Sequence, residues 1–523
     1  MMDFLVPDLA AAAVLVLAPL LAFLLLAFVS GRTRPKSTSK GDIDQEANYA
    51  ERSFITHADL VSPVVRGDHI AFNAHLHRVL PVAERFVQVE GEERCFVAFT
   101  HATCREVMND SASFSSNPFP DGRLVALNTM ERADHARVLR CVHRHYVQAE
   151  VERLEDRLRA IVDRCTDDLE AAASQAGSAD AMQWARRIHM ASTLLRLGVD
   201  CDDGRPWALV DDFIELNDAM VALVAPLGGV GRKYGTLPWW QWLRVLLGLL
   251  RSVWPTLEMA RRLGLRCTWE IIRPDVTVLF PPSQPRSGLW WRPELLPLVP
   301  RYFLTLQRLL SEEVVCSGAL FGLREGLRKG DLRPAEALTL LVQLMVNMTS
   351  ANALGNLVFR LGTERAAFAE VSKDPSRHAS AFLLEVLRLD APLQRNPRRV
   401  AKTPIPGGKW ATTPLREGDQ VLIFLGAANM DPAVYERPCE FRLDRQKEAA
   451  PLSFGSGTHY CLGSSLVKLE MRLALDCLLD RFDLVEVKDC ERLVDVDVGN
   501  WGFRRLSVQP RRKPAAPAAA PAA

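Results

Sequence analysis

Apolar residues recur three and four positions apart along Val151–Ala173, Leu338–Leu361, Ala379–Leu389 and Ser464–Phe482, a spacing that predicts helices. Shorter apolar runs at Phe86–Val89, Cys95–Phe99, Gln420–Phe424 and Leu506–Gln509 predict strands. The balance predicts a mainly α body with small β-sheets. Ahead of it, Leu9–Val29 runs 21 residues without a charge, interrupted only by Pro19. At about 1.5 Å per residue, such a helix crosses a hydrocarbon core of roughly 30 Å. Asp3 and Asp8 precede the run with no Lys or Arg, which favours a retained anchor over a cleaved signal peptide. Arg32, Arg34, Lys36 and Lys40 follow it, and that asymmetry places the body on the cytoplasmic side.

The pattern divides the chain into a short N-terminal segment (1–8), a membrane anchor (9–29), a polar linker (30–50), a body (51–510) and a low-complexity tail (511–523). Seven of the 11 tryptophans fall between Pro226 and Pro300. This stretch reads equally as an inserted, partly buried helical hairpin or as a surface dipping into a bilayer interface. Arg244 and Arg251 restrict its longest uncharged run, which argues against a second spanning helix.

At 523 residues the chain exceeds the size at which single cores usually stop growing, so it is either several domains or one large unit. Hydrophobic residues at 48% and charged residues at 24% exclude a disordered or fibrous chain. Net charge is +1, so no global field steers the protein toward nucleic acid. Eleven scattered cysteines with no CxxC pair speak against a disulfide framework or a structural zinc site.

Cys461 differs from the other cysteines. It lies in Phe454-Gly-Ser-Gly-Thr-His-Tyr-Cys-Leu-Gly463, just before the helix predicted from Ser464. A thiolate there meets free backbone N–H groups and the positive end of the helix dipole, which lower its basicity as an anionic metal ligand requires. Gly455, Gly457 and Gly463 suit tight bends close to a flat ligand. Phe454 offers the sulfur an apolar cover, and His459 is placed to reach a carboxylate at the edge of the same ligand. The plainer alternative is a buried structural cysteine in a glycine-rich loop.

The loop's FxxGxxxCxG pattern resembles the cytochrome P-450 family of haem-thiolate oxygenases. Glu385-Val-Leu-Arg388 matches the family's ExxR helix, and the spacing of three puts both side chains on one face. Pro438-x-x-Phe441-x-x-x-Arg445 matches its meander segment, and Ala427-Ala-Asn-Met-Asp-Pro432 is also family-like. The resemblance covers roughly Thr56 to Gln509 and is most specific in its last third.

The resemblance implies a cytochrome P-450 fold and a haem b (iron protoporphyrin IX) ligated by Cys461. It also implies a Glu385–Arg388–Arg445 network that holds the cysteine loop. Arg399 matches the family's propionate arginine and joins His459 as a first choice for the haem carboxylates. His135 fits the family's helix over the haem, but its arginine position holds Leu139, so Arg140 or Arg137 would have to substitute. Expected partners are dioxygen, a lipophilic small-molecule substrate, a membrane and a separate electron-donating reductase, with no nucleic acid.

One element departs from the family pattern. The oxygen-binding helix usually carries a Gly, an acid and a Thr; here Thr349 is present, but Met348 replaces the acid and Val346 the glycine. Ser350 follows the threonine. Three readings follow: a monooxygenase whose proton relay uses Asn347, water or a substrate hydroxyl; a peroxide-using or rearranging enzyme; or a haem protein without activity. A membrane scaffold with a structural cysteine loop is the alternative from outside enzymology. The expected reaction is hydroxylation or epoxidation in secondary-metabolite or terpenoid biosynthesis, by family analogy alone.

Overall fold

The computed structural model describes residue 55 and residues 68–80, 85–90, 94–117, 127–199, 205–224, 239–268, 298–311, 317–345, 348–403, 414–445, 448–493 and 499–514. The predicted anchor (9–29) and linker (30–50) lie outside the described residues. In chain order the elements begin with α1 (His69–Val79), β1 (Val87–Gln88), β2 (Cys95–Ala98), α2 (His101–Asn109), β3 (Phe114–Ser115), α3 (Arg132–Val142) and α4 (Gln148–Glu152). Next come α5 (Glu155–Ala176), β4 (Ala179–Asp180), α6 (Ala181–Leu197), α7 (Arg205–Val224), α8 (Trp239–Leu263), α9 (Leu298–Ser311) and α10 (Gly318–Lys329). The remainder comprises α11 (Pro334–Met345), α12 (Met348–Thr363), α13 (Arg365–Lys373), α14 (Pro375–Leu389), β5 (Arg395–Val400), β6 (Gln420–Phe424), α15 (Leu425–Ala428), α16 (Ser464–Arg481), β7 (Phe482–Arg492) and β8 (Phe503–Arg512).

Helices dominate, and two small sheets flank them. One sheet has the order β1-β2-β6-β5-β3 and the other β4-β8-β7. Most helices share one large core, to which α5 contributes Leu158, Ile161, Val162, Cys165, Leu169 and Ala173 at helical spacing, while α1, α2 and α15 pack with the first sheet in two smaller clusters. Local chemistry sets the boundaries. Asp374 caps α14 by accepting from the Arg377 N–H at 3.2 Å, with Pro375 at the first helical position. Asp180 caps α6 in the same way, accepting from the Met182 N–H at 3.0 Å, and Gly198 ends that helix at φ +94°.

Helix spacing located α5, α14 and α16 to within a few residues. The single helix expected over Leu338–Leu361 corresponds to α11 and α12, with residues 346 and 347 outside the described set. Taken together, those two helices are long and apolar enough to cross a membrane, but the apolar stretch is mostly buried inside the fold. The expected tail boundary at 511 shifts outward. Arg511 and Arg512 pair with Leu484 and Phe482 in the β7–β8 ladder, and the Lys513 N–H donates to the Arg481 carbonyl at 2.9 Å.

Four strands went unpredicted: the two-residue β3 and β4, and the longer β5 and β7. β5 reads Arg-Asn-Pro-Arg-Arg-Val, which lacks strand propensity and forms by pairing with β6 from Arg395↔Phe424 to Arg399↔Gln420. β7 carries several charges and is a strand by virtue of β8. Of the tryptophan-rich stretch, α8 is described in part: Trp254 is 77% exposed while Met259 is fully buried. Both readings of the stretch remain compatible with that, since Trp269, Trp290 and Trp291 lie outside the described residues.

Candidate active site

The cysteine loop is built on backbone constraints. Gly455 sits at φ +73° and Gly457 at φ +70°, which side-chain-bearing residues rarely adopt. A Cβ on Gly457 would stand 2.7 Å from the Met108 carbonyl oxygen, so only glycine packs against the end of α2. At Gly463, by contrast, φ is −80° and a Cβ would meet nothing within 4 Å, so the expected tight bend is absent there. The Cys461 N–H donates to the Phe454 carbonyl at 2.9 Å, which closes the loop across the Phe454 cover.

Helix α16 starts at Ser464 without a side-chain cap, leaving first-turn N–H groups for another acceptor. Burial pushes the Cys461 thiol up, while backbone N–H donors at Gly463 and Ser464 and the Lys468 ammonium pull it down; burial wins. The expected lowering is therefore present as a local influence but not as the net direction for the thiol. A positive charge beside the sulfur would reverse that balance.

The network expected around Glu385 forms in full. Arg388 forks onto Glu385, with Nε donating to Oε1 at 2.6 Å and Nη2 to Oε2 at 2.9 Å. Its remaining N–H groups reach the carbonyls of Asn429, Pro438 and Glu440 at 3.0, 2.6 and 2.9 Å. Arg445 Nε donates to Glu385 Oε2 at 3.1 Å, and its Nη1 to Glu448 at 2.9 Å. Asn429 and Ser453 carry the network to the cysteine loop. Asn429 Oδ1 accepts from the Leu452 N–H at 2.7 Å, its Nδ2 donates to Ser453 Oγ at 2.9 Å, and Ser453 Oγ donates to the Leu387 carbonyl at 2.5 Å. The family-like segment 427–432 signalled Asn429, but its bridging role and that of Ser453 were missed.

His135 of α3 and His459 of the loop, predicted separately, meet edge to face with ring centroids 4.5 Å apart. The third member of their cluster is Arg398 rather than the expected Arg399. Side chains alternate along β5, so Arg398 is buried beside His459, whereas Arg399 is half-buried and its Nε reaches the Asn117 carbonyl at 3.5 Å. Arg398 donates to Asn396 Oδ1 at 2.8 Å and the Pro397 carbonyl at 2.9 Å, and no carboxylate among the described residues pairs with it. Burial holds its guanidinium down at about 10, and burial with His135 and Arg398 pushes His459 down to about 4. Burial lowers His135 as well.

Arg140 does not join them. Five residues beyond His135, it is turned by about 140° around the helix and is exposed. Arg137 is bound to Glu336, with Nη2 donating to Oε1 at 2.8 Å and Nη1 to Oε2 at 3.1 Å. A buried guanidinium and two imidazoles without a counter-anion, close to the cysteine loop, fit a ligand that brings its own carboxylates. A haem has two, so the residues present suit that group.

At the start of α12, Met348 and Thr349 are half-buried and Ser350 is buried. The Ser350 hydroxyl has no hydrogen-bond partner among the described residues. Sequence reasoning missed how the preceding helix is fixed. Asn217 of α7 donates from Nδ2 to the Met345 carbonyl at 2.9 Å and accepts from the Tyr302 hydroxyl at 2.8 Å. Gln343 accepts from the Leu127 N–H at 2.6 Å. No local motif could have signalled contacts so distant in sequence.

The class that this geometry defines is a helical protein with a cysteine at a helix start and a buried arginine with two imidazoles close to its loop. The comparisons agree. Residues 379–499 match the family model described as Cytochrome P-450. Cytochrome P-450 144 of Mycobacterium tuberculosis is 35% identical over 174 residues, 33% of this chain and 37% of that protein. The biotin biosynthesis cytochrome P-450 of Bacillus subtilis is 33% identical over 186 residues, 35% and 43% of the two chains. The match thus spans under half the length of these curated relatives. Among solved structures, the cytochrome P-450 enzyme CxnD for C–S bond formation in chuangxinmycin biosynthesis superposes with TM-score 0.65, covering 88% of this chain and 98% of that one at 18% identity. Residues 379–499 thus resemble the cytochrome P-450 family, whose members hold a haem through a cysteine thiolate, and the solved structures share the fold of this chain.

Proposed function

We propose that the protein is a haem-thiolate monooxygenase that oxidises a lipophilic small molecule in a biosynthetic tailoring step. The observation that carries this reading is the Cys461 loop, held by the Glu385–Arg388–Arg445 network beside the His135–Arg398–His459 cradle. A thiolate-ligated haem supplies oxygen activation when bound, because the thiolate favours O–O cleavage. Cys461 provides the sulfur, and the Gly463 and Ser464 N–H groups temper its basicity. Arg398, His135 and His459 hold the carboxylates, and Phe454 keeps water from the sulfur. Thr349 carries a hydroxyl proton at the start of α12, where the neighbouring Met348 can neither give nor take one. The tailoring role is supported by the biosynthetic relatives that the chain resembles.

Electrons would come from a separate reductase. The anchor at 9–29 with a cytoplasmic catalytic body remains part of this proposal and rests on the sequence. Met348 favours one second reading, a peroxide-driven enzyme that needs no carboxylate relay. The test is turnover of a lipophilic substrate panel with surrogate reductase and dioxygen, or with hydrogen peroxide, in wild type and Met348→Glu. The account expects oxygen-dependent products one oxygen heavier, and faster coupled turnover in the variant if proton delivery limits the reaction. Products formed with peroxide alone would establish the second reading, and no product under either condition would contradict both.

A further inference from the structure

A polar cavity is built by elements that take no part in the cysteine loop. It has a volume of about 390 Å³ and lies between the turn at His145, the start of α5, the end of α6 and the start of α10. Arg153, Arg157 and Arg196 line it, opposed by a single acid, Glu150, whose carboxylate is engaged by Arg153 at 2.5 Å. His145 adds no charge near neutral pH, since burial and the neighbouring Arg144 and Arg196 push it down to about 4. The wall is therefore net positive.

Arg196 is the unusual member. It is 4% exposed, and its guanidinium lies over the Tyr146 ring at 5.8 Å. Its Nη1 donates to the Glu150 carbonyl at 3.2 Å, its Nε has no partner, and no carboxylate forms an ion pair with it among the described residues. A buried cation in this state is costly unless an anion completes it. The dipole geometry points the same way. The end of α6 keeps its own carbonyls occupied, because the Gly198 and Val199 N–H groups donate to Leu195 and Leu194 at 3.0 and 2.9 Å. The 12-residue α10 begins at the cavity with an N-cap, Ser317, whose side chain makes no capping bond. Gly318 fixes that helix start in place, since a Cβ there would lie 2.5 Å from the Gly198 nitrogen.

We propose that this cavity binds a small phosphate-bearing molecule, with the phosphate held between Arg196 and the N-terminus of α10. Helix starts and guanidinium forks both recognise tetrahedral oxyanions, and the cavity volume lies in the range of small-ligand sites. The shared chemistry has two sources, free phosphate or a phosphorylated metabolite. Calorimetry on the haem-loaded full chain at 0.15 M chloride, with inorganic phosphate, glycerol 3-phosphate and glycerol as probes, separates them. Both phosphates should bind and glycerol should not. A glycerol 3-phosphate affinity about tenfold above that of phosphate would identify an organic ligand, and equal affinities would identify free phosphate. Arg196→Met should weaken phosphate binding at least about tenfold. Ser317→Asp places a carboxylate at the helix start, which stabilises the helix while repelling an anion. It should weaken binding at least about fivefold with an unchanged or raised melting temperature, and it decides the matter if Arg196→Met does not fold. Unaltered binding in Ser317→Asp, or no binding of either phosphate below about 10 mM, would overturn the proposal.

Discussion

The cysteine loop and the α11 helix are held in different ways. On the cysteine side, Arg388 alone ties one glutamate and three backbone carbonyls together, and Asn429 and Ser453 extend that network into the loop. On the other side, α11 is fixed by one or two bonds from each distant element: Asn217 on Met345, Leu127 on Gln343 and Arg137 on Glu336. The dense region over-determines its geometry, whereas the sparse one depends on contacts that can be lost one at a time. The loop is thus held by many bonds at once and α11 by few, as suits a rigid ligand site beside a more variable wall.

The largest effect is expected where the network is densest. Arg388→Leu removes both bonds of the fork onto Glu385, which is 3% exposed, and leaves that buried charge with Arg445 as its remaining cation, at a cost of about 3 kcal/mol. Denaturant melts and the haem-to-protein ratio should show little or no haem-loaded folded protein. Normal loading in this variant would mean that Arg445 and the backbone hold the loop without Arg388.

The start of α11 should respond to pH. Burial would raise the Glu336 carboxyl, but hydrogen bonds from Arg137 and Arg333 hold it at about 2, below its ordinary value of 4.5. Between those values the unfolded chain binds the extra proton, so the stabilisation is present above about pH 5 and is lost as pH falls toward 2. The amount at neutral pH is on the order of 3 kcal/mol. Glu336→Gln should be less stable than wild type at pH 7 and nearly equal to it at pH 2. A constant difference across that range would remove the ion pair from the account.

A smaller contrast separates neighbours on β5. Arg398→Leu should weaken haem retention about tenfold, measured by transfer to apomyoglobin, while Arg399→Leu should change it less than about threefold. The reverse order would restore Arg399 to the cradle.

The sequence-to-structure comparison follows the same division. ExxR, the meander and the cysteine loop are legible because each is itself a pattern of fixed short spacing, even though they pair across 41 to 60 residues. Their joint appearance indicated the network before any geometry was known. Arg398 was misassigned to its neighbour because the motif marks a strand position, while β pairing with Gln420 and Val421 decides which face each side chain takes. Arg140 was misplaced because the pattern does not show that α3 turns it to solvent. Asn217 and Tyr302 were illegible, since neither sits in a pattern and both act across more than 40 residues on Met345 or on each other.

The central claim is that Cys461 is a thiolate ligand to haem. A carbon monoxide difference spectrum on the chemically reduced protein tests it most directly, with Cys461→Ser alongside. The account predicts a strongly red-shifted Soret band in wild type, absent from a variant that keeps its helical content. A wild-type spectrum without haem, or a thiolate-type band that survives in Cys461→Ser, would contradict it.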